Sequence, residues 1–226
     1  MEANELAFFG KIAAGVTHEL KNVLAIINES NGLMSDLLAM AKDSPMPHRD
    51  RFLRSVSKIE DQVRRGVEIT SRFNRFAHSV DHRVASVDLN EVLDQTVGLA
   101  QRFARLKNIE IKAARSPGPI FITIFPFRLQ MALTRAIEAC IGLMGALGAI
   151  VLRVGGGDGP PRIEFRCETA TGEGIELGEG LDSLRVWGEF ENTAALLQAV
   201  VELNAATGGF SIVFSAAGRD ASKVAG

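Results

Sequence analysis

Two long stretches without proline carry apolar residues at steps of three and four, and they constrain the fold more than any other feature. The first stretch, residues 1–43, has them at Phe9, Ile12, Val16, Leu20, Val23, Ile27, Met34 and Leu37. The second stretch, residues 48–77, has them at Phe52, Val56, Ile59, Val63, Val67 and Phe73. This spacing predicts two long amphipathic helices. Pro45 and Pro47 interrupt the pattern in residues 42–47, so the helices should be joined by a tight turn into an antiparallel hairpin.

A single hairpin of two amphipathic helices cannot bury both of its apolar stripes completely, so apolar surface stays exposed to solvent. Pairing of two hairpins into a four-helix bundle buries the stripes, which predicts a homodimer. Residues 1–83 are therefore expected to form a dimerising domain.

Past a polar hinge at residues 79–86, the pattern changes to shorter segments. Helices are predicted at residues 87–105, 127–147 and 192–206, and strands at residues 109–112, 120–124, 149–154, 162–167 and 210–215. Helices and strands mixed in this order predict a sandwich of one sheet under one layer of helices. The predicted fold class is α+β, with a helical hairpin in residues 1–83 and an α/β domain in residues 84–226.

Charge and hydropathy exclude two classes of partner. The formal net charge of -2 gives no bulk electrostatic attraction to nucleic acid or anionic lipid. The longest uncharged apolar run, residues 139–152, is shorter than the span of about 20 residues that crosses a membrane. Glu2 and Glu5 precede the first apolar stretch, where a secretory leader would be basic. We expect a cytoplasmic protein with no nucleic-acid or membrane partner.

The two cysteines, Cys140 and Cys167, lie far apart in sequence in mainly apolar segments. We expect both to be reduced core residues, from which neither a disulfide framework nor a zinc site is built.

His18 is the most informative polar residue of the first helix. At about 100° per residue it lies about 200° around the helix from both Val16 and Leu20, so it should face solvent. Asn22 is four residues on and shares that face. The adjacent Glu19 is placed to accept a hydrogen bond from Nδ1–H of the imidazole, which would leave Nε2 free as a nucleophile.

Residues 9–22, with the sequence Phe-Gly-Lys-Ile-Ala-Ala-Gly-Val-Thr-His-Glu-Leu-Lys-Asn, resemble the H-box of sensor histidine kinases. In that family the H-box lies on the dimerisation and histidine-phosphotransfer hairpin. The resemblance implies that His18 is phosphorylated and that Glu19 polarises it. Asn22 matches the position of an amide or hydroxyl that orients water to dephosphorylate a partner's aspartyl phosphate.

The resemblance extends to the docking surface and to the skeleton of the second domain. Thr17 and Lys21 would flank the surface on which a partner docks. Residues 87–93 are similar to the opening strand and helix of the catalytic ATP-binding domain of the same kinases, and residues 128–133 to the approach to its N-box.

Three nucleotide-binding boxes of that domain are altered in this chain. Glu138 stands where the family has an asparagine that binds Mg²⁺. Ala170 replaces the aspartate that grips adenine, although Gly172 and Gly174 remain. Residues 193–196, Thr-Ala-Ala-Leu, replace a Gly-x-Gly-Leu run whose backbone N–H groups are open to phosphate. ATP binding is therefore expected to be lost.

Arg135 and Glu138, three residues apart on one predicted helix, are expected to form a weak structural pair at its edge.

The resemblance and the altered boxes together predict histidine phosphotransfer through His18, to or from the aspartate of a response-regulator receiver domain. The chain would be a phosphotransferase of the histidine kinase type without ATP-dependent autophosphorylation. No cofactor is expected in this chain, and Mg²⁺ would be supplied by the receiver. Arginines of the second helix would lie beside His18, where some of them would tune docking of an acidic receiver.

Three alternatives stay open from the sequence. One is a receiver phosphatase that uses Asn22, and another is a non-catalytic pseudokinase that binds a receiver. The third is an active sensor histidine kinase.

Overall fold

The computed structural model describes residues 2–40, 49–157, 159–175, 178–204 and 208–215. The chain divides into two compact units, Met1–Arg75 and Phe76–Gly226. The corresponding boundary predicted from the sequence is at residue 83.

Two long helices build the first unit. They are α1 (Ala3–Met40) and α2 (Arg49–His78), and the last turn of α2 falls in the second unit. Each begins and ends within a few residues of the predicted helices. The turn predicted at residues 42–47 lies outside the described residues, so it stays a prediction.

Buried positions on α1 follow a seven-residue repeat: Val16, Val23, Ser30 and Leu37 are all buried. Seven residues fall slightly short of two full turns of an α-helix, so helices that keep this repeat wind around each other with a left-handed twist. The repeat explains why one stripe of α1 stays in contact with α2 over so many turns.

Two contacts define how α1 and α2 pair. Phe9 meets Phe73 with ring centroids 6.2 Å apart. Farther along, a Cβ atom added to Gly66 would lie 3.4 Å from Cγ1 of Val23. As residue numbers rise on α1 they fall on α2, so the helices are antiparallel, as predicted.

The second unit contains the remaining helices and all of the described strands. In chain order they are β1 (Ala85–Asp88), α3 (Leu89–Arg105), β2 (Ile109–Ala114), β3 (Phe121–Ile124), α4 (Pro126–Met144), β4 (Gly148–Gly155), β5 (Arg162–Glu168), α5 (Gly178–Asp182), α6 (Arg185–Leu196), β6 (Val200–Asn204) and β7 (Gly209–Val213).

Five of the strands form one sheet in the order β2-β4-β5-β7-β6. β2 pairs with β4 in parallel, and the other neighbours are antiparallel. β1 and β3 form a separate two-stranded antiparallel ribbon. On β5, Ile163, Phe165 and Cys167 are buried, whereas Glu164 and Arg166 on the other face are not. Helices therefore cover one face of the sheet, and the predicted α+β fold class is confirmed.

The helix predicted at residues 192–206 is wrong. Arg185–Leu196 forms α6, and Val200–Asn204 forms the edge strand β6. Gln198, with a left-handed φ of 55°, turns the chain between them. Val200 and Val201 are β-branched and favour a strand. The apolar residues of this segment are also spaced as in a helix, which is why the sequence pattern predicted a helix here.

Cys140 on α4 and Cys167 on β5 are neighbours in the core, although they are far apart in sequence. Both are free and fully buried. A hydrogen bond with Cys167, together with burial, raises the pKa of Cys140 well above its ordinary value. The thiol form of Cys140 is thereby favoured at neutral pH, as expected of an unreactive core residue.

Asp88 and Asn90 fix the start of α3. Oδ1 of Asp88 accepts hydrogen bonds from the backbone N–H groups of Asn90 (3.1 Å) and Ile120 (3.0 Å). Nδ2 of Asn90 donates to the carbonyl oxygen of Gly118 (3.0 Å), and its Oδ1 accepts from N–H of Ser116 (2.9 Å). The two side chains thus tie the loop before β3 to the first turn of α3.

Asn90→Ala is expected to lower the free energy of unfolding of the second unit by about 1–3 kcal/mol, because N–H of Ser116 and C=O of Gly118 lose their partner. Urea unfolding followed by fluorescence of Trp187, the single tryptophan, measures this loss. Asn90→Asp keeps the acceptor for Ser116 and should lose less. An unchanged urea midpoint in Asn90→Ala would contradict the prediction.

Candidate functional site

His18 lies near the middle of α1, and its side chain is exposed. Ile12, Val16 and Val23 are buried on the core side of the helix, which turns His18 outward. The structure therefore places His18 on the face where the periodicity predicts it.

Asn22, one turn along the same face, is the hydrogen-bonding neighbour of His18. Its side-chain nitrogen Nδ2 lies 3.3 Å from Nδ1 of the imidazole, and both side chains are exposed. Residues four apart on a helix lie one above the other, which brings the two groups together. The sequence prediction that these residues share a face agrees with this geometry.

Glu19 does not have the contact that the sequence analysis expects. It is half-buried, and within the described ranges it makes no hydrogen bond or ion pair. Adjacent residues on a helix project about 100° apart, so Glu19 points away from the imidazole face. Asn22, rather than Glu19, lies at Nδ1.

The surface around His18 holds small side chains. Ala14 and Ala25, one turn before and two turns after His18, are exposed on the same face. The hydroxyl of Thr17 is turned back along the helix, where it donates to the carbonyl oxygen of Ala13 (2.8 Å). Lys21 is exposed. Ala14 and Ala25 therefore leave space on this face on either side of the imidazole.

A groove of about 700 Å³ runs between α1 and α2 on the same side of the hairpin. It is lined by Glu29, Ser30, Gly32, Leu33 and Asp36 of α1 and by Arg51, Arg54, Ser55 and Lys58 of α2. Glu29 is eleven residues beyond His18, which is about three turns and about 17 Å along the axis. The groove thus begins roughly 17 Å from the imidazole, on the same face.

The two walls of the groove carry opposite charges. Glu29 and Asp36 form an acidic wall on α1, and Arg51, Arg54 and Lys58 form a basic wall on α2. None of these five groups makes an ion pair with another described residue. Other charges of α2 are paired, for example Arg72 with Glu68 at 3.8 Å. The basic wall is therefore available to a partner.

The bottom of the groove is polar. Ser30 and Ser55 are both buried, at 3% and 5% exposure, between the two helices. Oγ of Ser30 has no hydrogen-bond partner within the described part of the chain. The hairpin core is weaker here than at its other end, where Phe9 and Phe73 pack together.

A second apolar stripe lies on another side of the hairpin. Leu6 and Leu24 on α1 are each 63% exposed, and Val67 on α2 is 61% exposed. Leu24 is six residues beyond His18, which places it about 120° around the helix from the imidazole. A protein packed against this stripe would therefore leave the His18 face and the groove exposed.

In the second unit, Arg135 bridges α4 and α6. Its guanidinium donates to the carbonyl oxygen of Glu189 (3.1 Å) and to the hydroxyl of Thr193, and it pairs with the Glu189 carboxylate at 3.6 Å. The side chain of Arg135 is only 11% exposed. The predicted pairing with Glu138 is thus replaced by contacts to residues more than fifty positions away.

The other altered boxes are closed local structures. N–H of Thr169 donates to the carbonyl oxygen of Glu173 (2.8 Å), and N–H of Gly172 to that of Thr169 (3.0 Å), so the Gly-x-Gly segment folds back on itself as a tight turn. Thr193 and Ala194 are buried in the last turns of α6. Their backbone N–H groups lie inside a helix, which leaves no open row of donors there.

Comparisons with known proteins come from solved structures alone, because no protein-family model and no curated protein matches the chain. The histidine kinase AdeS of Acinetobacter baumannii is 12% identical with a TM-score of 0.46, over 88% of this chain and 97% of that one. A bacterial phosphotransferase is 13% identical with a TM-score of 0.46, over 94% and 96%. The cytoplasmic segment of the histidine kinase QseC is 16% identical with a TM-score of 0.45, over 68% and 94%.

The described chain is a helical hairpin followed by an α/β sandwich, which is the order of elements that the resemblance to sensor histidine kinases implies.

The described ranges hold no cluster of three or more His, Cys, Asp or Glu side chains that would bind a metal ion. None of the helices there combines the length and the apolar character that crossing a membrane requires.

The structure brings together His18 and Asn22 from the predicted site residues, and it adds the charged groove. The groove was not predictable from the sequence, because the register of the hairpin decides which residues of α2 face Glu29 and Asp36. The signal that was present is the spacing of Arg51, Arg54 and Lys58, which puts all three on one face of a helix.

Proposed function

We propose that this chain is a histidine phosphotransfer protein of two-component signalling. His18 takes a phosphoryl group from the aspartyl phosphate of a receiver domain and returns it to a receiver aspartate. The observation that carries the proposal is the exposed imidazole of His18, with the side chain of Asn22 at Nδ1 and with Ala14 and Ala25 exposed on the same face. An accessible and oriented imidazole is what this transfer needs from the acceptor.

The transfer is a displacement at phosphorus. The lone pair of Nε2 forms the N–P bond, the P–O bond to the aspartyl carboxyl breaks, and its electron pair stays on the carboxylate. The proton on Nδ1 remains on the ring, so the positive charge gained by the imidazole matches the negative charge gained by the carboxylate. Mg²⁺ held by the receiver would neutralise charge on the phosphoryl oxygens, and this chain supplies the nucleophile.

The structure at the three altered nucleotide boxes supports a receiver, rather than ATP, as the source of the phosphoryl group. Arg135 ties α4 to α6 near the altered N-box position, and the segments of the other two boxes are a closed turn and a packed helix. Each of these replaces a feature with which the resembled ATP-binding domain holds nucleotide.

The basic wall of the groove supports an acidic partner. Arg51, Arg54 and Lys58 lie on the same face as His18 and have no ion-pair partner among the described residues. Unpaired cations around a binding face speed the approach of an acidic surface. We propose that these residues, among the many arginines of α2, steer the receiver.

The second apolar stripe supports the homodimer. Leu6, Leu24 and Val67 are exposed in the single chain, and a second hairpin packed there would bury them in a four-helix bundle. Such a bundle leaves the His18 face of each hairpin open to its own receiver.

A receiver phosphatase is the second candidate, and the position of Asn22 favours it. The amide next to His18 is also placed to orient a water against an aspartyl phosphate brought to this face. In that case the receiver loses phosphate and no stable phosphohistidine accumulates.

The test incubates the whole chain with receiver domains labelled on aspartate by radioactive acetyl phosphate, and follows acid-labile, base-stable label. The expected result is transfer of label from at least one receiver to this chain. Receivers that bind without any movement or loss of phosphate would indicate a non-catalytic pseudokinase, and would overturn the proposal.

Reversing the basic wall is expected to slow transfer from that receiver by roughly 10- to 100-fold at low salt, because electrostatic steering is lost. The variant is Arg54→Glu with Lys58→Glu, and stopped-flow or quenched-flow transfer measures the rate. Arg64→Glu with Arg75→Glu makes the same change in net charge on another side of α2 and should slow transfer far less. Equal effects of the two pairs at all salt concentrations would contradict a role for the groove.

ATP with Mg²⁺ is expected to leave the unfolding temperature of the wild-type chain unchanged, as followed by Trp187 fluorescence. A ligand at a hundred times its Kd that binds only the native state would add about 2.7 kcal/mol of stability. A clear rise on adding both would instead support an active sensor kinase.

A further inference from the structure

We propose that Asn22 is a positioning residue that selects the tautomer of His18, and that the state described here is the unreactive one. The tautomer is a property of α1 alone, whereas its use as a gate rests on the proposed phosphotransfer. The proposal starts from the contact between Nδ2 of Asn22 and Nδ1 of His18 at 3.3 Å.

The amide nitrogen of asparagine donates hydrogen bonds and does not accept them. Its contact with Nδ1 is therefore a hydrogen bond only when Nδ1 is the acceptor. A neutral imidazole that accepts at Nδ1 carries its proton on Nε2. In this state neither ring nitrogen offers a free lone pair, because Nε2 is protonated and the lone pair of Nδ1 points at Asn22.

A half turn of the amide reverses this arrangement. Oδ1 of Asn22 then takes the place of Nδ2 and accepts a hydrogen bond from Nδ1–H. Solvent water takes the proton from Nε2 and supplies the one on Nδ1, so the ring stays neutral and the lone pair of Nε2 is free to attack phosphorus. Asn22 makes no other hydrogen bond among the described residues, so the turn costs only the hydrogen bond from its Nδ2 to Nδ1 of His18.

The phosphoryl group itself supplies the reason for the amide to turn. Its oxygens only accept hydrogen bonds, so a phosphoryl group seated over this face attracts the amide NH₂ of Asn22. As that nitrogen moves toward the phosphoryl oxygens, Oδ1 rotates toward Nδ1. The substrate thus switches His18 from the protected tautomer to the nucleophilic one.

Other side chains near His18 do not take this role. Glu19 makes no hydrogen bond or ion pair with the described residues, and the hydroxyl of Thr17 donates to the backbone of Ala13. Asn22 is the group that the described geometry places at a ring nitrogen.

The test is ¹⁵N NMR of the imidazole rings in the whole chain labelled with ¹⁵N-histidine, at a pH where His18 is neutral. His18→Gln identifies the signals of His18 among the four histidines. Asn22→Leu keeps the size of the side chain and removes the hydrogen bond. We expect the ratio of Nε2–H to Nδ1–H tautomer to be at least threefold higher in the wild type than in Asn22→Leu.

Asn22→Asp is the opposite variant, because a carboxylate only accepts and should draw the proton to Nδ1. It should invert the tautomer ratio, with Nδ1–H as the major form. Asn22→Ala repeats the loss of the hydrogen bond if Asn22→Leu alters the helix, as judged by circular dichroism. Equal tautomer ratios in the wild type, Asn22→Ala and Asn22→Asp would overturn the proposal.

This experiment uses no receiver, so its outcome is separate from that of the phosphotransfer assay. Tautomer selection in a chain that takes no label would refute the proposed function and keep Asn22 as the selector. Label transfer with equal tautomer ratios would keep the proposed function and refute the selector.

Discussion

Replacement of His18 by alanine is expected to reduce transfer of label to this chain by more than about a thousandfold, because the variant lacks the nucleophile. The position is exposed and makes no contribution to the hairpin core, so the fold should be unaffected. Quenched-flow measurement of acid-labile label on the chain, with the receiver that labels the wild type, gives the rate. Circular dichroism at 222 nm checks that both helices remain.

His82→Ala is the matched control for this loss, because His82 is also an exposed histidine. It should take label at the wild-type rate. Label that reaches His18→Ala as fast as the wild type would show that another residue carries the phosphoryl group.

The same variants separate the relay from the phosphatase. A relay loses transfer in His18→Ala, whereas a phosphatase loses hydrolysis of receiver phosphate mainly in Asn22→Ala. If hydrolysis of receiver phosphate stops in Asn22→Ala and is reduced less in His18→Ala, the chain acts as a receiver phosphatase.

The hairpin and the face of His18 were predictable, because both follow from local periodicity. A helix fixes the direction of each side chain from its position, so Val16 and Leu20 were enough to place His18 toward solvent. The partner of Nδ1 needed one further step. Glu19 is adjacent in sequence, but the helix brings Asn22 to the ring and turns Glu19 away.

Contacts between distant parts of the chain were not predictable. Arg135 looked like the partner of Glu138 because the two are close in sequence, yet the packing of α4 against α6 gives it Glu189 and Thr193. The groove depends in the same way on which elements pack together. So does the contact between the free thiols of Cys140 and Cys167. The strand β6 was not predicted because the spacing of its apolar residues fits both a helix and a strand. Its pairing with the neighbouring strand β7 favours the strand.

Placing charges on the second apolar stripe is expected to convert a dimer of the wild type into a monomer. The variant is Leu24→Glu with Val67→Glu, at positions that are 63% and 61% exposed in the single chain. In a four-helix bundle these side chains would be buried, and four carboxylates without partners cannot be buried there without a large cost in free energy. Light scattering after size-exclusion chromatography measures the molar mass.

Ala25→Glu with Ser57→Glu adds the same charge at exposed positions away from the stripe and should remain a dimer. A wild-type chain that is monomeric at all concentrations, or a stripe variant that stays dimeric, would contradict the bundle.

Dimerisation through this stripe also predicts how the stability of the hairpin depends on concentration. Association that requires folded helices stabilises them by mass action, so the melting temperature of the helical signal should rise with the concentration of the wild-type chain. In Leu24→Glu with Val67→Glu it should be lower and should not depend on concentration. Ser30 and Ser55 are buried between the helices where large apolar side chains would pack better, so the proposed dimer interface is expected to contribute strongly to the stability of the hairpin. Dimerisation would then be what holds His18 on an ordered helix, so loss of the dimer should also slow phosphotransfer.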